Sequence, residues 1–296
     1  MIVVHSFIFA LFGCLVASQE KVCSSFCSSL GMLESNPGKS CDDIYQINKA
    51  SRGVSGDYWI QTFTGVHEVY CDMELECGGY KGGWMRIADV NISRGDGCPG
   101  AFTKETINNI ALCHQEFSNL PGCFGTTYDV ARMVYTKVCG QVRGYQKGKP
   151  SAFSGRYSID DTYADGVSIT LGNPRKHVWT YGVGYDDHRN TPNRNCPCAS
   201  SGGVEPASFI GKHYYCESGN NVDQFPPVDK YYTEDPLWDG DGCVSTNNNC
   251  CTTVGMPWFI REFPTEQQDD IEVRLCQNEG FNNEGVAIDL IQLYVK

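Results

Sequence analysis

Apolar and polar residues alternate in six short stretches of the chain, a pattern typical of β-strands with one buried face. Clusters of glycine and asparagine separate these stretches, and both residues favour turns and irregular loops. The pattern predicts short antiparallel strands joined by long loops. The predicted strands are DYWIQTF (57–63), VHEVYCD (66–72), WMRIADV (84–90), HVWTYGVGY (177–185), IEVRLC (271–276) and VAIDLIQLYV (286–295).

Two short segments have helical features. Ser40 with Asp43 three residues later forms a capping-box pattern, and Ile44 and Ile47 are spaced for one buried helical face. A second, weaker helix is expected over TKETINNIALC, which begins at Thr103. Because strands outnumber helices, the expected fold class is α+β with mostly short antiparallel strands.

The beginning of the chain, MIVVHSFIFALFGCLVAS, is a short apolar run that ends in small residues. It is typical of a secretory signal peptide cleaved near Ser18, although no Lys or Arg precedes it. The run is interrupted by His5 and Ser6 and is shorter than the ~20 apolar residues that a membrane span needs. We expect a signal peptide (1–18), an N-terminal extension (19–39) and a secreted extracellular domain (40–296), with no membrane span.

The cysteines indicate the same compartment. The chain has 17 cysteines, and loss of Cys14 with the signal peptide leaves sixteen, the even number expected of a fully paired extracellular protein. Spacings such as CPC (196–198) and CC (250–251) are too tight for a zinc knuckle. An internal disulfide is the default for Cys23 and Cys27, although either could join two copies of the chain into a homo-oligomer.

The net charge of −12 comes from scattered acidic residues. A negative surface repels the phosphates of nucleic acids and of anionic membranes, so neither is an expected partner. The chain also lacks the long Asp/Glu blocks of a polymer that nucleates mineral by charge alone. Expected partners are extracellular matrix components and cell-surface proteins or glycans.

The sequence around the predicted helix is similar to a known family. SCDDIYQ, GDYWI and VYCDMELECGGYKGGWMRIADV, within residues 40–92, resemble the opening subdomain of fibrinogen-like domains. The resemblance implies a disulfide between Cys41 and Cys71 that ties the helix start to the end of the second strand. Gly82 and Gly83, before Trp84, would let the backbone approach a bulky ring.

Residues 93–296 resemble a secreted, cysteine-rich invertebrate family of the cnidarian type that keeps the fibrinogen-like opening. Intelectin-type lectins share that opening and a comparable final strand, but their sugar-site residues have no match here. The resemblance implies an architecture rather than an activity. The segments that carry it are CGQVRGYQKGKPSAF, YADGVSITLGNPRKHVWTYG, CPCA, HYYCESG, DPLWDGDGC, CCTTVGMPWF and DDIEVRLC.

Catalysis is not expected, because the histidines form no zinc-hydrolase spacing and no nucleophile elbow is present. The segment YDDHR (185–189) places carboxylates beside His188, but a solvated turn after a strand explains it more simply. Cysteine nucleophiles are disfavoured, because a secreted, even set of thiols should be oxidised.

A calcium site is the remaining cofactor hypothesis. In WDGDGC, Asp239 and Asp241 lie two residues apart on a glycine-rich loop, so both carboxylates could face one cation. A turn without metal is favoured, because Asp/Gly runs form ordinary turns and a third ligand is missing. DDTYADG (160–166) is a weaker example. Calcium would suit a lectin whose aromatic platform came from KYYTEDPLW (230–238) and GKHYYC (211–216), but such aromatics are more often core.

The segment NISRGDGC (91–98) combines two extracellular signals. Asn91 begins the only N-glycosylation acceptor triplet in the chain. The next three residues, Arg94, Gly95 and Asp96, spell the tripeptide that integrins read, although such a triplet arises by chance in on the order of one chain in twenty. A glycan could shield the arginine, and the following cysteine would restrict the loop. We interpret the segment as a glycosylated, disulfide-anchored turn and treat cell attachment as the less favoured alternative.

The leading functional hypothesis is a secreted, non-catalytic, structural or adhesive component of an extracellular matrix. For a coral-like source, that matrix would include the organic matrix of a mineralised skeleton. The alternative is a calcium-dependent, carbohydrate-binding lectin of innate recognition.

Overall fold

The computed structural model describes residues 27–115, 122–148, 150, 152–153, 164–185, 206–219, 236–238, 255–277 and 284–296. This part of the chain is rich in β-structure, with helix α1 at Cys41–Ile47. Its strands are β1 Gly56–Thr62, β2 Gly65–Asp72, β3 Glu76–Cys77, β4 Tyr80–Lys81, β5 Trp84–Asn91, β6 Thr103–Ile107, β7 Ile110–His114, β8 Gly122–Tyr128, β9 Tyr135–Gly148, β10 Gly166–Leu171, β11 Lys176–Tyr185, β12 Tyr214–Gly219, β13 Phe259–Gln267, β14 Ile271–Gln277 and β15 Glu284–Val295.

Helix α1 begins at the predicted cap. The side chain of Ser40 accepts a hydrogen bond from the Asp43 N–H at 3.1 Å, and Ile44 is fully buried. The prediction that Ile47 shares this buried face is wrong, because Ile47 is 37% exposed. The helix ends at once, since the Asn48 N–H bonds the Ile44 carbonyl and closes the last turn.

Strand β15 is the centre of an eight-stranded sheet. It pairs with β9 along its length, and on its other edge with β5 through Leu290–Val295 and with β7 through Ala287 and Ile288. The strand order is β1-β2-β5-β15-β7-β6, with β13 added beyond β9. The opening segment 40–92 is therefore continuous with the rest of the fold through the β5–β15 pair.

A second sheet has the order β12-β11-β10-β14-β8, and β3 with β4 forms a two-stranded ribbon. All pairs in the second sheet are antiparallel except β11–β12. The ring of Trp179 on β11 stacks on Phe259 of β13 at 4.5 Å between centroids, so the two large sheets meet across an apolar core. The prediction of a β-rich fold of mostly antiparallel strands is confirmed.

All six strands predicted from alternation are present, but the second predicted helix is wrong. Residues from Thr103 onward form the β6–β7 hairpin instead. Asn108 and Asn109 make its two-residue turn with φ of 48° and 64°, a left-handed conformation that asparagine tolerates and a helix interior forbids.

Disulfides tie distant segments together. Cys41 is bonded to Cys71, as the resemblance implies, with the Cα atoms 5.4 Å apart. Within the described residues no helix is long and apolar enough to cross a membrane. The disulfides of this chain are compatible with an extracellular protein. The other described disulfides are Cys77–Cys139, Cys98–Cys113 and Cys123–Cys276, and Cys27 and Cys216 are also disulfide-bonded.

The glycine pair before Trp84 allows a close approach, and the bulky ring involved is that of Tyr45. A side chain on Gly82 would overlap this ring, and one on Gly83 would meet the backbone of Asp42. The Nζ of Lys296 then donates to the Gly82 carbonyl at 2.6 Å. The final strand thereby fixes the opening segment to the sheet.

Candidate functional site

The segment Asn91–Cys98, here called the Asn91 loop, begins at the last residue of β5. Ile92–Arg94 form one turn of 3₁₀-helix, and Gly95 ends it with φ of 98° and an N–H bonded to the Ile92 carbonyl. Ile92 is buried and holds the turn against the core, whereas Ser93, Arg94 and Gly95 are exposed. A left-handed residue at position 95 favours glycine.

The glycosylation triplet has an ordered local geometry. The Oδ1 of Asn91 accepts hydrogen bonds from the Ser93 N–H at 3.1 Å and from the Ser93 hydroxyl at 2.6 Å. The hydroxyl that makes the triplet an acceptor therefore contacts the amide to be modified, on an exposed turn. Glycosylation of Asn91 stays a prediction.

The arginine of the integrin-type tripeptide is bound by two carboxylates. Arg94 Nη2 lies 2.9 Å from Asp96 Oδ2, and Arg94 Nη1 lies 3.2 Å from Asp89 Oδ2. Nη2 also donates to the Asp89 main-chain carbonyl at 3.2 Å. The hydrogen bonds to Asp96 and then to Asp89 hold the pKa of the Arg94 guanidinium above its ordinary value. Arg94 thus bridges the loop and strand β5.

Asp96 makes a second hydrogen bond with the same oxygen. Its Oδ2 accepts the Asn91 N–H at 2.7 Å, and this bond, followed by that from Arg94, lowers the pKa of the Asp96 carboxyl. The two charged groups of the tripeptide are therefore paired with each other and tied to the loop backbone. Neither the guanidinium of Arg94 nor the carboxylate of Asp96 is free of the other in this structure.

Asp89 connects the Asn91 loop to the outer face of the large sheet. Its side chain is 18% exposed, and its Oδ1 accepts from Gln292 Nε2 at 3.1 Å across the β5–β15 pair. Arg86 adds an ion pair to Asp89 at 3.3 Å and lies over the ring of Tyr70 at 3.7 Å. Asp89 is held by Gln292 and Arg86, so it is a fixed point to which the exposed side chain of Arg94 attaches.

The far end of the loop is also anchored. The disulfide between Cys98 and Cys113 joins it to β7, and Lys104 Nζ donates to the Asp96 carbonyl at 3.4 Å. The expected disulfide-anchored turn is present. Its stabilising ion pairs were not expected, because Asp89 sits inside a predicted strand where it looked like an ordinary polar position.

Several predicted site residues cannot be placed. Asp239, Asp241, Cys23 and His188 lie outside the described residues, so the calcium, crosslinking and acid-base hypotheses attached to them keep their status as predictions. Cys27 is disulfide-bonded. Across the described ranges, no three or more His, Cys, Asp or Glu side chains cluster as metal ligands.

The described aromatic residues of the suggested sugar platform belong mainly to the core. Trp238 is 2% exposed and Tyr215 is 4% exposed. Trp238 stacks on Tyr181 at 4.8 Å and on Trp179 at 5.3 Å between ring centroids. These rings pack against one another between the sheets, which is the core role that strand-spaced aromatics usually have.

His177 is a buried histidine with a strongly shifted pKa. Burial, with a smaller effect from Arg261, lowers its pKa to about 3, and its Nε2 lies 2.8 Å from the Thr180 hydroxyl. The imidazole is therefore neutral near pH 7. A general base should have a pKa near the working pH, so His177 is unsuited to that task.

Comparisons with known proteins add no assignment. No family model matches this chain, and no curated protein sequence matches it.

Proposed function

We propose that the protein is a secreted, non-catalytic, structural or adhesive component of an extracellular matrix. The observation that carries the proposal is the disulfide framework of the two sheets. The described bonds close segments with sequence separations of 15 to 153 residues, and the longest, Cys123–Cys276, joins the paired strands β8 and β14. Such bonds persist in oxidising compartments outside the cell.

The Asn91 loop supports the adhesive part of the proposal. It places an N-glycosylation triplet and an Arg-Gly-Asp tripeptide on an exposed turn that a disulfide fixes at one end. A glycan adds bulk and solubility on the surface of a secreted protein. The chemistry of the loop suits recognition by other extracellular molecules rather than turnover of a substrate.

The test is retention of the full-length protein after expression through a secretory pathway. The purified protein would be incubated with reconstituted extracellular matrix, with cell surfaces and with a carbonate mineral, and the bound fraction measured. We expect specific, saturable retention by at least one of them. A protein that stays in solution with all three would contradict the proposal.

Two altered proteins distinguish the effect of the fold on retention from the effect of the glycan. Ser93→Ala removes the acceptor triplet while keeping Asn91 in the loop. Reduced and alkylated protein lacks the disulfide framework. If retention by matrix or mineral depends on the folded surface, it survives Ser93→Ala and is lost on reduction.

A further inference from the structure

The two charged groups of the Arg-Gly-Asp tripeptide neutralise each other in this structure. Arg94 Nη2 and Asp96 Oδ2 are 2.9 Å apart. To recognise both charged groups, a receptor needs an acidic partner for the guanidinium and a cation for the carboxylate. Each contact requires a group that is free, so the Arg94–Asp96 pair must separate before such a receptor can bind.

Asp89 is the second carboxylate that binds Arg94. Its carboxylate lies 3.2 Å from both Nη1 and Nη2 of Arg94, and its main-chain carbonyl accepts a further bond from Nη2. Asp89 is itself fixed by Gln292 and Arg86, and it belongs to a strand in the middle of the sheet. When Arg94 leaves Asp96, Asp89 therefore keeps it on the surface of β5.

The loop has room to open. Gly95 and Gly97 have no neighbouring atoms near the position of a side chain, and Arg94 is 47% exposed. One oxygen of Asp96, Oδ2, makes both side-chain hydrogen bonds, with Asn91 and Arg94. The closed state is therefore set by a few charge-assisted bonds at an exposed turn and not by burial.

We propose that Arg94-Gly95-Asp96 is a latent attachment site for an integrin-type receptor, and that Asp89 holds it closed. This inference rests on the adhesive function proposed above. In the closed state Arg94 is engaged by Asp89 and Asp96. In the open state the guanidinium and the Asp96 carboxylate are both available to the receptor.

The effect of removing Asp89 should be modest. Ion pairs between partly exposed groups are weak, so loss of the Arg94–Asp89 contacts should raise the open population by about two- to fivefold. The pair between Arg94 and Asp96 remains in that variant, which keeps most molecules closed.

The experiment measures attachment of integrin-bearing cells to the immobilised, full-length secreted protein in the presence of magnesium. All proteins would carry Ser93→Ala, so that no glycan covers the loop. We expect Asp89→Asn to raise attachment by about two- to fivefold over the parent. The increase should disappear with a soluble Arg-Gly-Asp peptide, with chelator, and in the Asp89→Asn, Asp96→Glu double variant.

Arg86→Gln is the matched control. It removes another ionic partner of Asp89 and leaves the contacts between Asp89 and Arg94 in place, so attachment should equal that of the parent. If Asp89→Asn attaches no more cells than the parent, the proposal is overturned. The same holds if the parent already shows full, peptide-sensitive attachment, because the site would then be open.

A second measurement covers the case in which Asp89→Asn lowers stability. The reduced and alkylated parent chain has no folded loop, so it should attach more cells than the native parent in a peptide-sensitive manner. Equal attachment by both forms would overturn the proposal. Retention by matrix or mineral, measured in parallel, reports on the proposed function separately, since it needs no tripeptide.

Discussion

The charged groups of the Asn91 loop have hydrogen-bond partners, whereas some polar groups in the core between the two sheets have none among the described residues. In the loop, Arg94 is exposed and Asp96 is partly exposed, and each is satisfied by partners within a few residues of sequence. In the core, Gln146 is fully buried and Trp238 is 2% exposed. Among the described residues, neither the Gln146 amide nor the Trp238 indole N–H finds a hydrogen-bond partner.

The difference separates two sources of stability. The loop depends on short-range, charge-assisted bonds that salt and pH can weaken. The core depends on stacked rings brought together from distant parts of the chain, and Trp238 adopts a φ of 86° to take its place there. The packing energy of the core offsets the strain of the left-handed Trp238 backbone and the cost of burying polar atoms without hydrogen bonds. Changes in the core should therefore cost far more than changes in the loop.

The largest expected effect is loss of the disulfide between Cys123 and Cys276, which closes 153 residues. In the chain-entropy model, replacing both cysteines with serine should lower the free energy of unfolding by about 5 kcal/mol. Replacing Cys98 and Cys113, which close 15 residues at the Asn91 loop, should lower it by about 3 kcal/mol. Denaturant titration of the two double variants measures the difference. Equal losses would show that loop length is not what separates the regions.

The strands, turns and disulfides behind these stability differences could not all be predicted from the sequence. Alternation of apolar and polar residues was enough to predict β1, β2, β5, β11, β14 and β15, although β15 is buried on both faces. The turn in the second predicted helix was missed, because Asn108 and Asn109 specify a hairpin only through left-handed backbone angles. The Cys123–Cys276 bond joins the ends of a long segment, and no local pattern shows which of many cysteines will meet.

The candidate site divides in the same way. The glycosylation triplet and the Arg-Gly-Asp tripeptide can be recognised in the sequence, but the role of Asp89 cannot. Arg94 reaches it because β5 ends in a 3₁₀ turn that brings the chain back over the strand. That geometry depends on Gly95 and on burial of Ile92, so only the folded loop identifies Asp89 as a partner.

A smaller but still large effect is expected for Trp238→Ala. Removing a buried indole from a stack of rings should lower the free energy of unfolding by about 3 to 5 kcal/mol. Phe63→Ala is the matched control, since Phe63 lies at the tip of the β1–β2 hairpin and is 76% exposed. Its replacement should change the free energy by less than about 0.5 kcal/mol. A loss below 1 kcal/mol for Trp238→Ala would contradict the view that the core holds this residue.

Lys296→Met tests how the opening segment is joined to the large sheet. The side chain of Lys296 is 8% exposed, and its Nζ donates to the Gly82 carbonyl and pairs with Asp42 at 3.0 Å. Methionine keeps the apolar stem but leaves both acceptors without this donor, which should cost about 1 to 3 kcal/mol. Thermal unfolding provides the measurement. Lys39→Met, at an exposed lysine, serves as the control and should have little effect.

The core should also be sensitive to mild acid through His177. Burial lowers the pKa of His177 from 6.5 to about 3, so the unfolded chain takes up a proton more readily than the folded one. The stability that the neutral His177 contributes to the folded state is fully present above the unfolded pKa of 6.5. It is lost as the pH falls from 6.5 toward 3. From pH 7 to pH 5 the loss should be about 2 kcal/mol. In His177→Gln, that part of the pH dependence should be absent from denaturant titrations.

The smallest effect is expected in the loop, and at a lower pH. The Asn91 N–H and Arg94 lower the pKa of the Asp96 carboxyl below its ordinary value of 3.8. Its contribution to stability is therefore present above that value and lost as the pH falls through the lower, folded-state pKa. Because Asp96 is solvated, the change should be small and should decrease with added salt. Asp96→Asn should flatten the stability curve only below about pH 4 and leave the His177 region unchanged. If Asp96→Asn altered the curve between pH 5 and pH 7, the loop and the core would be coupled, and the contrast between them would be wrong.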